Sequence, residues 1–162
     1  MGMLLDGDWT SDDGLSRGSD GKFDHLPTSF RNTITKDGSS GFKADSGRFF
    51  IYGSKTCPWA HRAIIFRHLK GLVNHIGLFM VVNGDRGYAV DPDGKHTVPG
   101  TDENITYLHE VYQLADQNYT GRVTVPILWD SKECSIVNNE SSEIIMMLNS
   151  EFNAFGNVSY DY

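Results

Sequence analysis

A short apolar run followed closely by a helix start is the feature that most constrains how this chain can fold. The run is Phe49-Phe50-Ile51-Tyr52, which has the composition of a β-strand, and Gly53-Ser54 closes it. Pro58 then stands where a helix can begin, because proline is well tolerated in the first helical turn. The predicted helix ends at Gly71 and has one apolar face, made of Ala60, Ala63, Ile64 and Leu69. This start favours a right-handed crossover into a second, parallel strand.

The remaining segments complete the order β-α-β-α-β-β-α. They are, along the chain, a strand at 76–82, a loop at 83–104, a helix at about 105–116, a strand at 123–129 that Pro126 interrupts, a strand at 135–137, and a helix that begins near 139–142. The apolar face of the helix at 105–116 is made of Leu108, Val111, Tyr112 and Ala115. A parallel strand pair in the first half and a hairpin in the second indicate a mixed sheet covered by helices. The sequence therefore predicts an α/β domain of the thioredoxin-like fold.

Composition divides the chain into three parts. Residues 1–47 are rich in Gly, Ser and Asp, which predicts a long irregular N-terminal arm. The arm also contains aromatic residues that a disordered tail would largely lack, so we expect it to pack on the domain in places; these are Trp9, Phe23, Phe30 and Phe42. The thioredoxin-like domain is predicted at 48–152, followed by a short tail at 153–162.

Charge and apolar content exclude several classes of protein. The 162 residues include 14 Lys and Arg against 21 Asp and Glu, a net charge of −7, which argues against a nucleic-acid-binding protein. No apolar run is long enough for a membrane span, and the N-terminus lacks the pattern of a secretory signal. Two cysteines do not make a disulfide scaffold, and the six histidines lack metal-ligand spacing. We therefore expect a cytoplasmic protein without a metal ion.

Cys57 is the strongest candidate for a reactive group. At the head of the predicted helix, free backbone N–H groups and the helix dipole favour the thiolate, and His61 and Arg62 add positive charge nearby. Position 60 is Ala, which rules out an intramolecular disulfide at this site, so an outside thiol such as glutathione must resolve any mixed disulfide. The alternative is that Cys57 is a small buried apolar residue. Cys134, with no helix after it, is expected to be an incidental surface thiol.

Two further segments suggest a ligand site beside the thiol. Proline is unusual inside a strand, and a cis Val125-Pro126 bond would turn the Val125 backbone groups toward a ligand; the alternative is an edge-strand proline. In Asn139-Glu140-Ser141-Ser142, a helix N-terminus with a hydroxyl suits a carboxylate, and the adjacent Glu suits an ammonium group. These charges match the γ-glutamyl end of glutathione, although the same string alone also fits a plain helix cap.

Three stretches of the sequence point to one family. They are Cys57-Pro58-Trp59-Ala60-His61-Arg62, the ten residues from Gly121 to Asp130, and the ten residues from Ile136 to Ile145. These stretches resemble the glutathionyl-hydroquinone reductases, the Xi class of glutathione transferases. The arm agrees with the same family through Phe30-Arg31-Asn32 and Gly41-Phe42-Lys43-Ala44, and the resemblance extends over nearly the whole chain up to Asn153.

The resemblance implies a mechanism and a set of site residues. The Cys57 thiolate would attack the glutathione sulfur of a glutathionylated hydroquinone, hold glutathione as a mixed disulfide, and be released by a second glutathione. In such families the Val before the cis-Pro binds the cysteinyl backbone of glutathione, and a Glu-Ser pair holds its γ-glutamyl end. The matching glutathione-binding positions are Val125, Pro126, Glu140, Ser141, Arg122, which is expected to meet a glutathione carboxylate, and Tyr88, which stands where the family usually has Trp.

The family pattern also continues beyond this sequence. Its members have an all-helical C-terminal domain, which supplies aromatic residues for the hydroquinone and the usual dimer contact, and we expect that domain to be absent here. Three functions stay open on this basis. They are reductive deglutathionylation of glutathionyl-hydroquinones, impaired by the missing domain; a glutaredoxin-like monothiol thioltransferase; and an inactive truncated fragment that binds glutathione.

Overall fold

The computed structural model describes residues 2–11, 28–91, 93–157 and 159–162. The described strands and helices are, in chain order, β1 (Met3–Leu5), β2 (Asp8–Thr10), β3 (Ile34–Thr35), β4 (Phe42–Lys43), β5 (Phe49–Gly53), α1 (Pro58–Leu69), β6 (Gly77–Met80), β7 (Val82–Gly84), β8 (Gly87–Ala89), β9 (His96–Thr97), β10 (Asn104–Ile105), α2 (Leu108–Ala115), β11 (Gly121–Arg122), β12 (Ile127–Asp130), β13 (Ser135–Asn138) and α3 (Ser141–Ser150). Within these ranges, every helix is too short or too polar to traverse a lipid bilayer.

A four-stranded sheet in the order β13-β12-β5-β6 forms the centre of the domain. β5 and β6 run parallel and are joined by α1, whereas β12 is antiparallel to both β5 and β13. Side chains alternate between the two faces of the sheet. Phe49 and Ile51 join an apolar cluster with residues of α3, and Tyr52 joins a second cluster with residues of α2. The thioredoxin-like fold predicted from the sequence is therefore confirmed.

Two segments differ from their predicted structure. The segment at 83–104, expected to be a loop, contains β8, β9 and most of β7, and β10 begins at its last residue. These four strands contain two or three residues each, which is too few to show a period in the sequence. Of the strand predicted at 123–129 with an interruption at Pro126, only the part from Ile127 onward forms, and residues 123–126 are a gap between β11 and β12. Pro126 explains this gap, because proline has no N–H to donate to a strand ladder.

The buried face of α1 also differs from the prediction. Leu69 is 43% exposed, whereas Arg67 and Lys70 are buried. The Arg67 guanidinium reaches past the end of the helix and donates to the carbonyl oxygens of Ile76 at 2.6 Å and Val73 at 2.8 Å. Because these bonds satisfy a buried charge, Arg67 fixes the turn between α1 and β6, a role that apolar periodicity does not show.

The described part of the N-terminal arm packs on the domain, as expected from its aromatic residues. β1 pairs with both β2 and β11, and the side chains of Met3 and Leu4 are buried. The Trp9 ring stacks on His109 of α2, with 4.7 Å between the ring centroids. Phe23, for which the same packing is predicted, lies outside the described residues. Through β1, the arm supports the segment that leads from β11 to β12.

Candidate functional site

Cys57 occupies the N-cap position of α1, with an extended backbone at φ −99° and ψ 114°. Its carbonyl oxygen accepts a helical hydrogen bond from the His61 N–H at 3.0 Å, while its side chain makes no cap bond. Instead, the half-buried Sγ lies 3.5 Å from the carbonyl oxygen of Val125. The sulfur thus stands at a helix N-terminus and faces the residue before Pro126.

The Val125-Pro126 peptide bond is cis. Both residues are buried, in the short connection between β11 and β12. The Val125 N–H has no backbone partner among the residues that the structure describes. Because backbone N–H groups are strong donors, this one is available to a ligand that lies beside the thiol.

Glu140 and Ser141 stand at the start of α3 and have different roles there. Glu140 is the N-cap residue, and its carboxylate accepts hydrogen bonds from the Ser142 N–H at 3.2 Å and the Ser142 hydroxyl at 3.1 Å. The helix-cap alternative is therefore realised for Glu140, although a carboxylate has acceptor positions left for a further cation. Ser141 is buried, and its hydroxyl accepts a hydrogen bond from Nη2 of Arg62 on α1 at 2.7 Å.

Tyr88 lies on β8, half-buried against the same apolar cluster as Cys57. Burial raises the pKa of the Tyr88 phenol, and the charge of the nearby Cys57 thiolate raises it further. The structure therefore brings this phenol, in its neutral form, close to the Cys57 sulfur. Arg122 lies on β11 opposite Met3 of β1, three residues before Val125.

Two further residues make contacts with these segments that the sequence did not predict. Arg62 was expected to add positive charge, and the structure shows that its guanidinium reaches Ser141. Tyr112 was one member of the apolar face of α2, and the structure shows its hydroxyl bonded to Thr124 and Asn139. A Tyr rather than Leu or Phe at a buried helical position does indicate a hydroxyl in need of a partner, but not which partner.

No group of three or more His, Cys, Asp or Glu side chains in the described ranges is arranged to hold a metal ion. The thiol and the polar groups of the neighbouring segments make up the candidate site. These are a sulfur at a helix start, a backbone N–H and C=O pair, a hydroxyl with a guanidinium, and a carboxylate.

A thioredoxin-like domain with a single thiol at the start of its first helix, beside a cis-proline, defines a class of glutathione-handling proteins, and the family comparison agrees. Residues 56–151 match the family model described as glutathione S-transferase, N-terminal domain. The chain belongs to this family. Its similarity within the family is to the glutathionyl-hydroquinone reductases and the Xi class, which confirms the resemblance found in the sequence.

Several relatives illustrate this similarity. Glutathionyl-hydroquinone reductase PcpF from Sphingobium chlorophenolicum is 43% identical over 164 residues, covering 100% of this chain and 51% of the relative. Glutathionyl-hydroquinone reductase YqjG from Escherichia coli K12 is 41% identical over 171 residues, covering 100% of this chain and 52% of the relative. The chain thus spans about half the length of the curated relatives that it matches.

Solved structures give the same result. The Xi-class glutathione transferase from Natrialba magadii superposes with a TM-score of 0.81 at 37% identity, over 99% of this chain and 48% of that one. The glutathione-bound structure of YqjG from Escherichia coli K-12 superposes with a TM-score of 0.79 at 38% identity, over 99% of this chain and 49% of that one.

Proposed function

We propose that this chain carries the glutathione-binding and thiol-transfer half of a glutathionyl-hydroquinone reductase, with Cys57 as the nucleophile. The observation that carries the proposal is the position of the Cys57 sulfur, at the N-terminus of α1 and 3.5 Å from the Val125 carbonyl oxygen. A thiolate is the reactive form of cysteine, and the helix N-terminus stabilises that form.

The proposed reaction has two steps. The Cys57 thiolate attacks the sulfur of a glutathionylated hydroquinone, an S–S bond forms, and the bond between sulfur and ring carbon breaks. The ring carbon keeps the bonding electron pair and takes up a proton, so the free hydroquinone leaves as the reduced product. The thiolate of a second glutathione then attacks the mixed disulfide, releases glutathione disulfide and restores the Cys57 thiolate.

Glutathione is held along its length in this proposal. The Val125 N–H and C=O pair with the cysteinyl backbone of glutathione, with Pro126 beside them. At the γ-glutamyl end, the N-terminus of α3 and the Ser141 hydroxyl bind the carboxylate, and Glu140 binds the ammonium group.

Two further residues complete the proposed glutathione site. Tyr88 lies against glutathione, because the structure places its ring close to Cys57. Arg122 binds a glutathione carboxylate, a role that rests on the matching family motif. We place this chemistry in a reducing compartment, the cytoplasm, and assign the choice of quinone and the dimer contact to the helical domain of such reductases.

A glutaredoxin-like thioltransferase is the second candidate. One observation favours it: Ala60 stands where a dithiol site would have its second cysteine, as a monothiol thioltransferase requires. In this case the Cys57 thiolate attacks the glutathione sulfur of a mixed disulfide, and the partner thiolate leaves with the electron pair of the broken S–S bond. The resolving step by a second glutathione is the same.

One experiment divides these functions. The protein is incubated with glutathione and either a glutathionylated hydroquinone or a simple glutathione mixed disulfide, and the formation of glutathione disulfide is followed. Turnover of the first substrate supports the reductase, and turnover of the second alone supports the thioltransferase. Cys134→Ser is the matched control and should leave either activity unchanged, since in the described part of the chain the Cys134 thiol bonds to the carbonyl oxygens of Gly100 and Ser131 and to no residue of the site. Absence of both activities, with no glutathione on Cys57, would instead mean an inactive fragment.

A further inference from the structure

The buried hydroxyl of Tyr112 lies between the two segments that hold glutathione in the proposed site. Tyr112 is fully buried on α2. Its Oη donates a hydrogen bond to the carbonyl oxygen of Thr124 at 3.0 Å and accepts one from the Thr124 N–H at 3.3 Å. The same oxygen accepts a third bond, from Nδ2 of Asn139 at 3.3 Å. The Thr124 hydroxyl oxygen lies 3.3 Å from the same oxygen, so four polar contacts converge on a phenol that offers one donor and two acceptor positions.

The partners of this hydroxyl are the direct neighbours of the binding residues. Thr124 precedes Val125-Pro126, and Asn139 precedes Glu140-Ser141. A single oxygen atom of α2 thus bonds to the Thr124 backbone on one side, and to the Asn139 side chain on the other side, of the gap that glutathione would span. Among the described residues, the Tyr112 hydroxyl makes no hydrogen bond to Cys57, Val125, Glu140 or Ser141, and its ring packs in the core against Phe30 and Tyr119.

We propose that Tyr112 is a positioning residue for glutathione, which sets the distance between the Val125 backbone and the Glu140-Ser141 pair. This inference rests on the proposed function. A ligand gripped at both ends binds well only when its two anchors are spaced correctly, to within about 0.5 Å. Without the hydroxyl, the Thr124 and Asn139 groups lose buried partners, and each segment is free to shift toward other partners.

The protonation state of Tyr112 supports this role. Burial raises the pKa of the Tyr112 phenol, so the hydroxyl keeps its proton and remains a donor across the range of pH in which the thiol reacts. The Asn139 amide has in turn no partner for its buried Oδ1 among the described residues, so the bond from Nδ2 to Tyr112 is the one that its side chain makes.

The test replaces Tyr112 by Phe, which keeps the ring and removes only the hydroxyl. We expect the KM for glutathione to rise about tenfold, the usual effect of one or two lost buried hydrogen bonds. The rate at which Cys57 reacts with iodoacetamide, a reagent that needs no glutathione anchors, should stay within about twofold of the parent rate. A merely structural role would change both the KM for glutathione and the rate with iodoacetamide, or neither of them.

Tyr52→Phe is the matched control. Tyr52 is equally buried in the same apolar cluster, but its hydroxyl bonds to Nε2 of His96 at 2.9 Å, away from Thr124 and Asn139. We expect the control to lose a similar free energy of unfolding and to keep the parent KM for glutathione. An unchanged KM in Tyr112→Phe, or an equal rise in both variants, would overturn the inference.

Two further variants separate this inference from the proposed function. On a Cys57→Ser background, which cannot react, calorimetry gives the Kd for glutathione with and without Tyr112→Phe. A tenfold weaker Kd supports positioning even if the parent protein turns over no substrate; an equal Kd, or no binding to Cys57→Ser itself, contradicts it. Should Tyr112→Phe fail to fold, Asn139→Ala removes one of the two connections and is expected to raise the KM about threefold; an unchanged KM there would overturn the inference.

Discussion

The strands β5 and β12 lie side by side and antiparallel, and their two ends are built in opposite ways. At one end, where Phe49 pairs with Asp130, the Arg48 guanidinium donates to both carboxylate oxygens of Asp130 at 2.5 to 3.0 Å. Asp130 is fully buried and also accepts from the Lys132 N–H at 2.9 Å. At this paired end, the buried charges satisfy each other.

At the other end of the same strands, where Tyr52 pairs with Ile127, the polar groups are left open. The Cys57 sulfur has one contact at 3.5 Å, and the Val125 N–H has no backbone partner in the described ranges. Arg62 bonds to a neutral hydroxyl and forms no ion pair with a described carboxylate. The comparison indicates that the paired end provides stability, whereas the open end keeps its hydrogen-bonding capacity for a ligand. Substitutions should therefore affect stability at one end and activity at the other.

The largest effect is expected from Cys57→Ser at the open end. A serine hydroxyl is a far weaker nucleophile than a thiolate, so thiol transfer should fall at least about a thousandfold. The free energy of unfolding, measured by urea titration, should change by less than about 0.5 kcal/mol, because the side chain makes no cap bond and is only half-buried. Retained activity, or a large loss of stability, would contradict the proposal that the open end serves activity and the paired end serves stability.

Asp130→Ala at the paired end should have the opposite effect. It leaves the Arg48 charge without its buried partner, which costs about 3–5 kcal/mol of unfolding free energy. The matched control is Asp45→Ala, since Asp45 lies 3.5 Å from Nη1 of Arg48 but is 45% exposed, and we expect a cost below about 1 kcal/mol. Urea titrations of both variants give the comparison. Equal stabilities would show that the Arg48–Asp130 pair does not hold this end together.

The sequence located the residues of the open end better than those of the paired end. The strand-to-helix start and Pro126 are local signals, and they placed Cys57 at a helix N-terminus beside a proline that interrupts a strand. The Arg48–Asp130 pair joins residues 82 positions apart, and no local pattern indicates it. Tyr112 fits an apolar helical face equally well whether or not its hydroxyl has partners across the core.

The shortest strands could not be predicted from the sequence either. β7 to β10 contain two or three residues each, fewer than a period needs. The burial of Arg67 depends on two carbonyl groups in the turn that follows α1. For Glu140, both readings of the sequence stand: the structure shows it as a helix cap, and its role toward glutathione remains a proposal.

Ser141→Ala tests the γ-glutamyl side of the open end. Loss of the hydroxyl removes the acceptor for Arg62 and the proposed donor to the glutathione carboxylate, so the KM for glutathione should rise about tenfold. Ser150→Ala is the control on the same helix, because its exposed hydroxyl bonds to Met146 O and to Glu151. Steady-state kinetics with varied glutathione measure both, and equal KM values would exclude Ser141 from the site.

The smallest effect concerns the arm that supports the open end. His109 is buried beneath Trp9, and burial, followed by the nearby charge of Arg86, lowers the pKa of its imidazole. The unfolded chain therefore binds more protons than the folded one once the pH falls below about 6.5, the ordinary histidine value. This contribution to stability is complete above that pH and is lost as the pH falls, by at most about 1.4 kcal/mol per unit.

The measurement is the free energy of unfolding between pH 7 and pH 5. His109→Gln should flatten this dependence, whereas His68→Gln, a change on the exposed side of α1, should keep it. Parallel curves for the parent protein and His109→Gln would contradict the account of His109. The Tyr52–His96 contact remains in both variants, so any pH dependence of the free energy of unfolding that both variants share comes from groups other than His109 and His68.

The central claim, that Cys57 accepts the glutathionyl group, is tested most directly by a single turnover without free glutathione. The protein is mixed with one equivalent of glutathionylated hydroquinone, quenched with an alkylating agent, and mapped by peptide mass spectrometry. If Cys57 is the nucleophile, we expect one glutathionyl group on Cys57, an equal amount of free hydroquinone, and alkylated Cys134. Hydroquinone released while Cys57 stays alkylated, or glutathione found on Cys134 instead, would contradict it.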